Sequence, residues 1–113
     1  MNVVSYCRLS KDDNKSRYTS IEAQKQLALD YAKKKDWVIQ KFYIDDDVTG
    51  FIANEKRPEF YKMLQSIDNG NIDVVIAKDL SRFGRKNSIT LGNIDLFKDL
   101  DVNLILTKDP MLG

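Results

Sequence analysis

Histidine is missing from this chain altogether. Its absence removes Ser-His-Asp triads, histidine-ligated zinc and phosphohistidine transfer from the chemistries open to it. A single cysteine, Cys7, excludes an intrachain disulfide, and its place among Val3, Val4 and Tyr6 reads most simply as a small apolar residue in a strand. With two prolines and five glycines, the chain shows no repeat and no low-complexity segment. No apolar run approaches the roughly 20 residues of a membrane span, and the N-terminus lacks the basic and apolar blocks of a signal peptide. A soluble, cytoplasmic protein without a membrane partner is expected. An excess of one charge is lacking too: 18 Lys and Arg against 17 Asp and Glu give no global attraction to nucleic acid.

What is present fits one compact domain over residues 1–113, 42% hydrophobic and 31% charged. Asn2 to Tyr6 reads as a first strand and Lys11 to Tyr18 as a polar loop. Thr19 followed three residues later by Glu22 matches a capping box, and Leu27, Ala28, Tyr31 and Ala32 recur at helical spacing to about Lys35. Trp37 to Ile44 reads as a second strand running into Asp45, Asp46 and Asp47. After a loop from Thr49 to Lys56, Arg57-Pro58 opens a second helix with the apolar face Phe60, Met63, Leu64 and Ile67, stopped by Asn69-Gly70. Asp73 to Ala77 reads as a strand buried on both faces. A third helix from about Ser88 to Leu100, burying Leu91, Ile94 and Phe97, leads to a last strand from Val102 to Leu106.

The alternation predicts an α/β fold, an open, mostly parallel sheet of four to five strands covered by helices. In such sheets ligands bind beyond the carboxyl ends of the strands, at the topological switch point. Arg8 and Ser10 are expected after the first strand, the three aspartates after the second, and Ser81, Arg82 and Arg85 after the third. All candidate groups therefore fall on one rim.

The segment from Lys78 to Lys86 carries Lys78, Arg82, Arg85 and Lys86 against Asp79 alone. Taken by itself such a cluster is a solvated face, just as Ser10 is a loop or capping serine and Arg57 a surface arginine. Together they suit chemistry on a phosphodiester. Arginine stays protonated at any working pH, and its planar fork matches phosphate oxygens. Attack by an alcohol on a DNA phosphodiester yields another phosphodiester, so neither ATP nor a redox cofactor is required. Arg8, Arg82 and Arg85 would stabilise the equatorial oxygens without a metal. Asp45 to Asp47 are turn formers, orienters of an arginine, proton-transfer groups or, in a rival reading, cation ligands.

Five motifs in order carry a resemblance: Tyr6-x-Arg8-x-Ser10, Ser20-Ile21-Glu22-x-Gln24, Asp45-Asp46-Asp47-Val48-Thr49-Gly50, Arg57-Pro58, and Lys78-Asp79-Leu80-Ser81-Arg82-Phe83-Gly84-Arg85. With them the chain resembles the catalytic domain of the serine recombinases, the resolvase and invertase family, and most closely the large members that move phages and transposons. The resemblance implies that Ser10 is the nucleophile, joining a 5′ DNA phosphate and releasing a 3′ hydroxyl. It implies that Arg8, Arg57, Arg82 and Arg85 surround the scissile phosphate, that Gln24 adds polar contacts, and that Tyr6 packs beneath the loop. The family's acidic residue corresponds to Asp45 or Asp46, with Asp46 favoured and Asp45 in support. Lys78 and Lys86 would contact DNA. Its partners would be DNA and further copies of the protein, a dimer and then a tetramer.

Two departures accompany the resemblance. Ser81 stands where many members carry an aspartate, which leaves the general acid for the departing hydroxyl unassigned. The chain also stops at Gly113, before the family's long dimerisation helix and DNA-binding domain, so it is expected to act as a trimmed catalytic core. Such a core should be monomeric or weakly associated, bind DNA weakly without sequence preference, and not recombine alone. The competing readings are a receiver-like signalling domain phosphorylated on an aspartate, which would need magnesium, and an inactive α/β module kept for protein contacts.

Overall fold

The computed structural model describes residues 1–9, 20–46, 57–78 and 88–107. In chain order the elements are β1 (Val3–Leu9), α1 (Ile21–Lys34), β2 (Ile39–Asp46), α2 (Pro58–Asp68), β3 (Val74–Ala77), α3 (Ser88–Asp99) and β4 (Asn103–Leu106). The four strands form one sheet in the order β2-β1-β3-β4, every neighbouring pair parallel. The expected α/β architecture is therefore observed, with four strands among the described residues.

Chain direction dictates the layering. The step from β1 to β2 runs one way across the sheet, and the steps to β3 and β4 run the other. Right-handed crossovers then put α1 on one face and α2 and α3 on the opposite one. The core divides accordingly. Val3, Val74, Ile76 and Ile105 pack with Ala28 and Ala32 of α1. Val4, Tyr6, Tyr43, Val75 and Leu106 pack with Phe60, Met63 and Ile67 of α2 and Phe97 of α3. β3 is buried on both faces, as its run of apolar residues predicts.

Each helix hands over to the next strand through the same device. Beyond α1, the Asp36 amide donates to the Lys33 carbonyl and the Trp37 amide to that of Ala32; beyond α2, Gly70 and Asn71 donate to Ile67 and Ser66. Beyond α3, Asp101 and Val102 donate to Lys98 and Phe97. These are Schellman closures, which place the residue after the C-cap in the left-handed region. Gly70 sits there at φ 77°, but Asp36 and Asp101 hold φ 58° and 59° with a Cβ. Asp36→Gly and Asp101→Gly are each expected to stabilise the fold by about 0.5 kcal/mol, the relief of the left-handed Cβ outweighing the looser unfolded chain. Urea melts check this, and a loss of stability would contradict it.

Several boundaries differ from the sequence reading. β1 continues to Leu9, so Arg8 lies within the strand rather than after it, and β2 starts at Ile39 and includes Asp45 and Asp46. Parallel pairing carries both strands on, with Arg8 opposite Asp45 and Leu9 opposite Asp46. Ladder hydrogen bonds do not depend on side-chain polarity, so the charged residues did not end the strands. The cap of α1 is Ser20, whose Oγ accepts from the Ala23 amide at 3.1 Å, in place of the expected Thr19 and Glu22 box. Leu27 and Leu91 are exposed, whereas Gln24, Ala28 and Ala32 line the buried stripe of α1 and Phe97 with Asn93 that of α3. Leu91 precedes Asn93 by two positions, about 200° around the helix, and so faces away.

Cys7 is buried as expected, and desolvation pushes its thiol up to about 11. Ser5, also buried on β1, donates its hydroxyl to the Ile76 carbonyl at 2.9 Å. None of the helices among the described residues is long and apolar enough to cross a membrane.

Candidate active site

At the carboxyl ends of β1 and β2 the sheet carries a buried polar cluster on its α2 face. Alternation along β1 puts Tyr6 and Arg8 on the same side, and the ladder sets Asp45 beside Arg8. Asp45 is 2% exposed, yet its carboxylate accepts three hydrogen bonds. The Tyr6 hydroxyl donates to Oδ2 at 2.8 Å, the Phe60 amide donates to the same oxygen at 3.0 Å, and the Glu59 amide donates to Oδ1 at 3.0 Å. Glu59 and Phe60 occupy the first turn of α2, whose amides have no partner within the helix. Asp45 thus caps a helix that begins more than ten residues later, and its charge meets the positive end of that helix.

Arg57 is the residue before that first turn and makes no side-chain cap. Its guanidinium is fully buried, with Nη2 donating to the Tyr6 hydroxyl at 3.2 Å. Cζ lies 3.9 Å from the Phe60 ring centroid and 5.3 Å from that of Tyr6. The Tyr6 hydroxyl therefore sits between a cation and an anion, accepting from one and donating to the other. Burial holds its acidity well below that of an ordinary phenol, with the Arg57 charge opposing and the Asp45 charge reinforcing the effect. It remains a donor at any working pH.

Gln24 fixes the strand beside this cluster. Its Oε1 accepts from the Arg8 amide at 3.1 Å and its Nε2 donates to the Arg8 carbonyl at 3.0 Å. β3 pairs with β1 from Val3 to Ser5 and no further, so this primary amide takes the place of a neighbouring strand where β1 runs past the end of that ladder. The backbone of Arg8, two positions before Ser10, is thereby held from α1.

A family model described as the resolvase N-terminal domain matches residues 3–112. The chain belongs to the resolvase family. Its fold superposes on the N-terminal catalytic domain of TP901-1 integrase with a TM-score of 0.81, at 25% identity over 97% of this chain and 79% of that one. A resolvase family site-specific recombinase from Streptococcus pneumoniae matches with a TM-score of 0.78, at 29% identity over 97% of this chain and 74% of that one. The C-terminal catalytic domain of ISC1926 TnpA, an IS607-like serine recombinase, shares the fold with a TM-score of 0.77, at 22% identity over 95% and 67%. No curated protein sequence matches the chain. The resemblance to serine recombinase catalytic domains read from the motifs therefore holds, and it displaces the receiver-like alternative.

Of the residues expected at the site, the resolvase fold brings together Tyr6, Arg8, Gln24, Asp45 and Arg57, all buried. Arg57, an ordinary surface arginine by sequence alone, is interior. Tyr6 does more than pack, since it links Arg57 to Asp45. Asp46 ends β2 as an exposed residue. Lys78, the start of the basic cluster, is buried where β3 ends, with its carbonyl accepting from the Thr107 hydroxyl at 3.4 Å. Ser10, Ser81, Arg82, Arg85, Lys86 and Asp47 lie outside the described residues. Among the described residues no group of three or more acidic or cysteine side chains could hold a metal ion.

A surface groove of about 590 Å³ lies at the other end of the sheet, between the last turns of α1 and the start of β2. Trp37, Val38, Leu29 and Lys33 help to line it, and none of the candidate residues does. The groove and the candidate cluster thus lie at different ends of the sheet. Phe60 was read only as part of an apolar helix face. Its spacing of three from Arg57, one helical turn, was the available signal that the two side chains meet.

Proposed function

We propose that this resolvase domain recombines DNA site-specifically through a covalent phosphoserine intermediate formed on Ser10. The Ser10 oxygen attacks the scissile phosphorus, the bond to the 3′ oxygen breaks, and the departing oxygen takes up a proton as the serine loses one. The reverse attack by a 3′ hydroxyl reseals the strand. One phosphodiester replaces another, so no nucleotide is consumed. The observation that carries this reading is the buried cluster of Arg8, Arg57, Tyr6 and Asp45 at the end of the strand that leads directly into Ser10. Two guanidinium groups, each desolvated, supply fixed positive charge for a phosphoryl group, worth far more there than in water. In this proposal no metal is needed.

Arg82 and Arg85 add charge from the chain after β3, Lys86 holds the DNA backbone, the buried Lys78 at the end of β3 adds positive charge beneath it, and Ser81 has a supporting role. Asp46, not Asp45, is the carboxylate left for proton transfer or for orienting an arginine, because Asp45 already accepts three hydrogen bonds. Family membership implies DNA binding and oligomerisation in general; a dimer that becomes a tetramer when two sites are exchanged is the assembly proposed here. Residues 1–113 are proposed to be its catalytic domain and not to exchange sites alone.

The test is to incubate the recombinase with end-labelled DNA carrying its site, quench in denaturant and map the adduct by mass spectrometry. The expected product is a Ser10 peptide bearing a 5′ phosphate, with a free 3′ hydroxyl on the partner strand. Attachment to any other residue would overturn the assignment.

A further inference from the structure

We propose that Phe60 is a positioning residue for Arg57, its ring face fixing the plane of the guanidinium through a cation–π contact. The inference rests on the reading that Arg57 serves a phosphate.

The Cζ atom of Arg57 lies 3.9 Å from the Phe60 ring centroid, well inside the distance at which such contacts act. Tyr6 is a poorer platform at 5.3 Å, and its ring instead meets that of Phe60 at 73° with centroids 5.0 Å apart. Phe60 is itself placed from three sides. Its amide is held at 3.0 Å by Asp45 of β2, its ring is abutted by Tyr6 of β1, and its backbone lies in the first turn of α2. Arg57 is the N-cap of that helix, with φ −115° and ψ 83°, and its guanidinium lies over the Phe60 ring. A planar ion held by its face keeps its N–H edges as donors, and one of them, Nη2, reaches the Tyr6 hydroxyl. The aromatic face and the hydroxyl together leave the guanidinium little freedom to rotate. The ring is fully buried, so the contact is desolvated and strong.

The experiment replaces Phe60 in the full chain by mono-, di- and trifluorinated phenylalanines, which keep the ring's shape while draining negative charge from its face, and by leucine. Heteronuclear NMR reads hydrogen exchange at the Arg57 Nε–H. Exchange is expected to quicken stepwise with fluorination and to rise about tenfold in Phe60→Leu. The melting temperatures of the fluorinated chains should stay near that of the parent. Unchanged exchange across the fluorinated series would overturn the proposal, including the case where leucine alone has an effect, since the ring would then act as bulk. Should Phe60→Leu fail to fold, the fluorinated series still decides. A DNA adduct mapped away from Ser10 would sink the functional reading without touching this result, so the two failures are distinguishable.

Discussion

Asp45→Asn is expected to lower the unfolding free energy by about 3 kcal/mol, the scale of breaking a buried charge away from its partners. The carboxylate accepts from the Tyr6 hydroxyl and the Phe60 amide on one oxygen and from the Glu59 amide on the other. An asparagine offers one acceptor and one donor in the same space. Whichever way the amide is flipped, an N–H points at an N–H or O–H, and at least one buried donor loses its partner. The negative charge at the start of α2 goes as well, leaving Arg57 buried beside a neutral group. For a chain of this size the melting temperature should fall by roughly 10–20 °C. Tyr6→Phe removes one of the three hydrogen bonds to Asp45 together with the bond from Arg57 Nη2, and should cost about 2–3 kcal/mol. Because both changes act on one network, the double variant should lose at least about 0.5 kcal/mol less than the two losses added together. Chemical denaturation of all three measures this, and a cost below about 1 kcal/mol for Asp45→Asn would show that the network does not hold α2 to the sheet.

The succession of strands and helices was legible because each element buries one apolar face with its own period. Val74, Val75 and Ile76 in succession read as an interior strand, and Arg57-Pro58 sets a proline where the first turn of a helix accepts it. Local patterns, however, say nothing about partners far along the chain. Asp45 looked like the first of three turn aspartates, yet it caps a helix beginning at Pro58, a relation set by the crossing of β2 and α2. Gln24 sat on a helix face whose other buried members are alanines, and its role became visible only once β1 outran β3 and needed a hydrogen-bonding neighbour. Leu27 and Leu91 misled in the opposite direction. Both are apolar and near the expected stripe, but Ala28 and Ala32 let α1 approach the sheet while Leu27 at its flank stays outside, and Leu91 lies about 200° around α3 from the buried Asn93.

The same topology explains why the candidate residues gather where they do. The chain leaves β1 in one direction and returns past it to β3 in the other, so the carboxyl end of β1 is the switch point of the sheet. Helices on opposite faces diverge there. Tyr6 and Arg8 from β1, Asp45 from β2 and Arg57 from the start of α2 converge on one side of that opening, while Gln24 from α1 secures β1 from the other. Tyr6 links Arg57 to Asp45 within the interior cluster, and Gln24 pairs with the Arg8 backbone from the opposite face.

Arg57→Lys is expected to slow DNA cleavage by about 100- to 1,000-fold, the effect of removing one aligned donor from a site of developing charge. The substitution nominally keeps the charge, so its effect isolates geometry. Lysine has no planar face to lie on Phe60, and its tetrahedral donors cannot take that stacked position while reaching the Tyr6 hydroxyl as Nη2 does. An ammonium is also more strongly hydrated than a guanidinium, and in a fully buried site it gives up its proton far more readily. DNA affinity and its salt dependence should change little, because a single backbone contact is at stake. Single-turnover cleavage measured beside equilibrium binding separates the two effects. Arg57→Ala supplemented with guanidinium ion provides the complement, since a free planar cation can occupy the space between the Phe60 and Tyr6 rings and restore part of the rate. If Arg57→Lys cleaved within about threefold of the parent, the guanidinium would be a structural group and the phosphate would be read by other arginines.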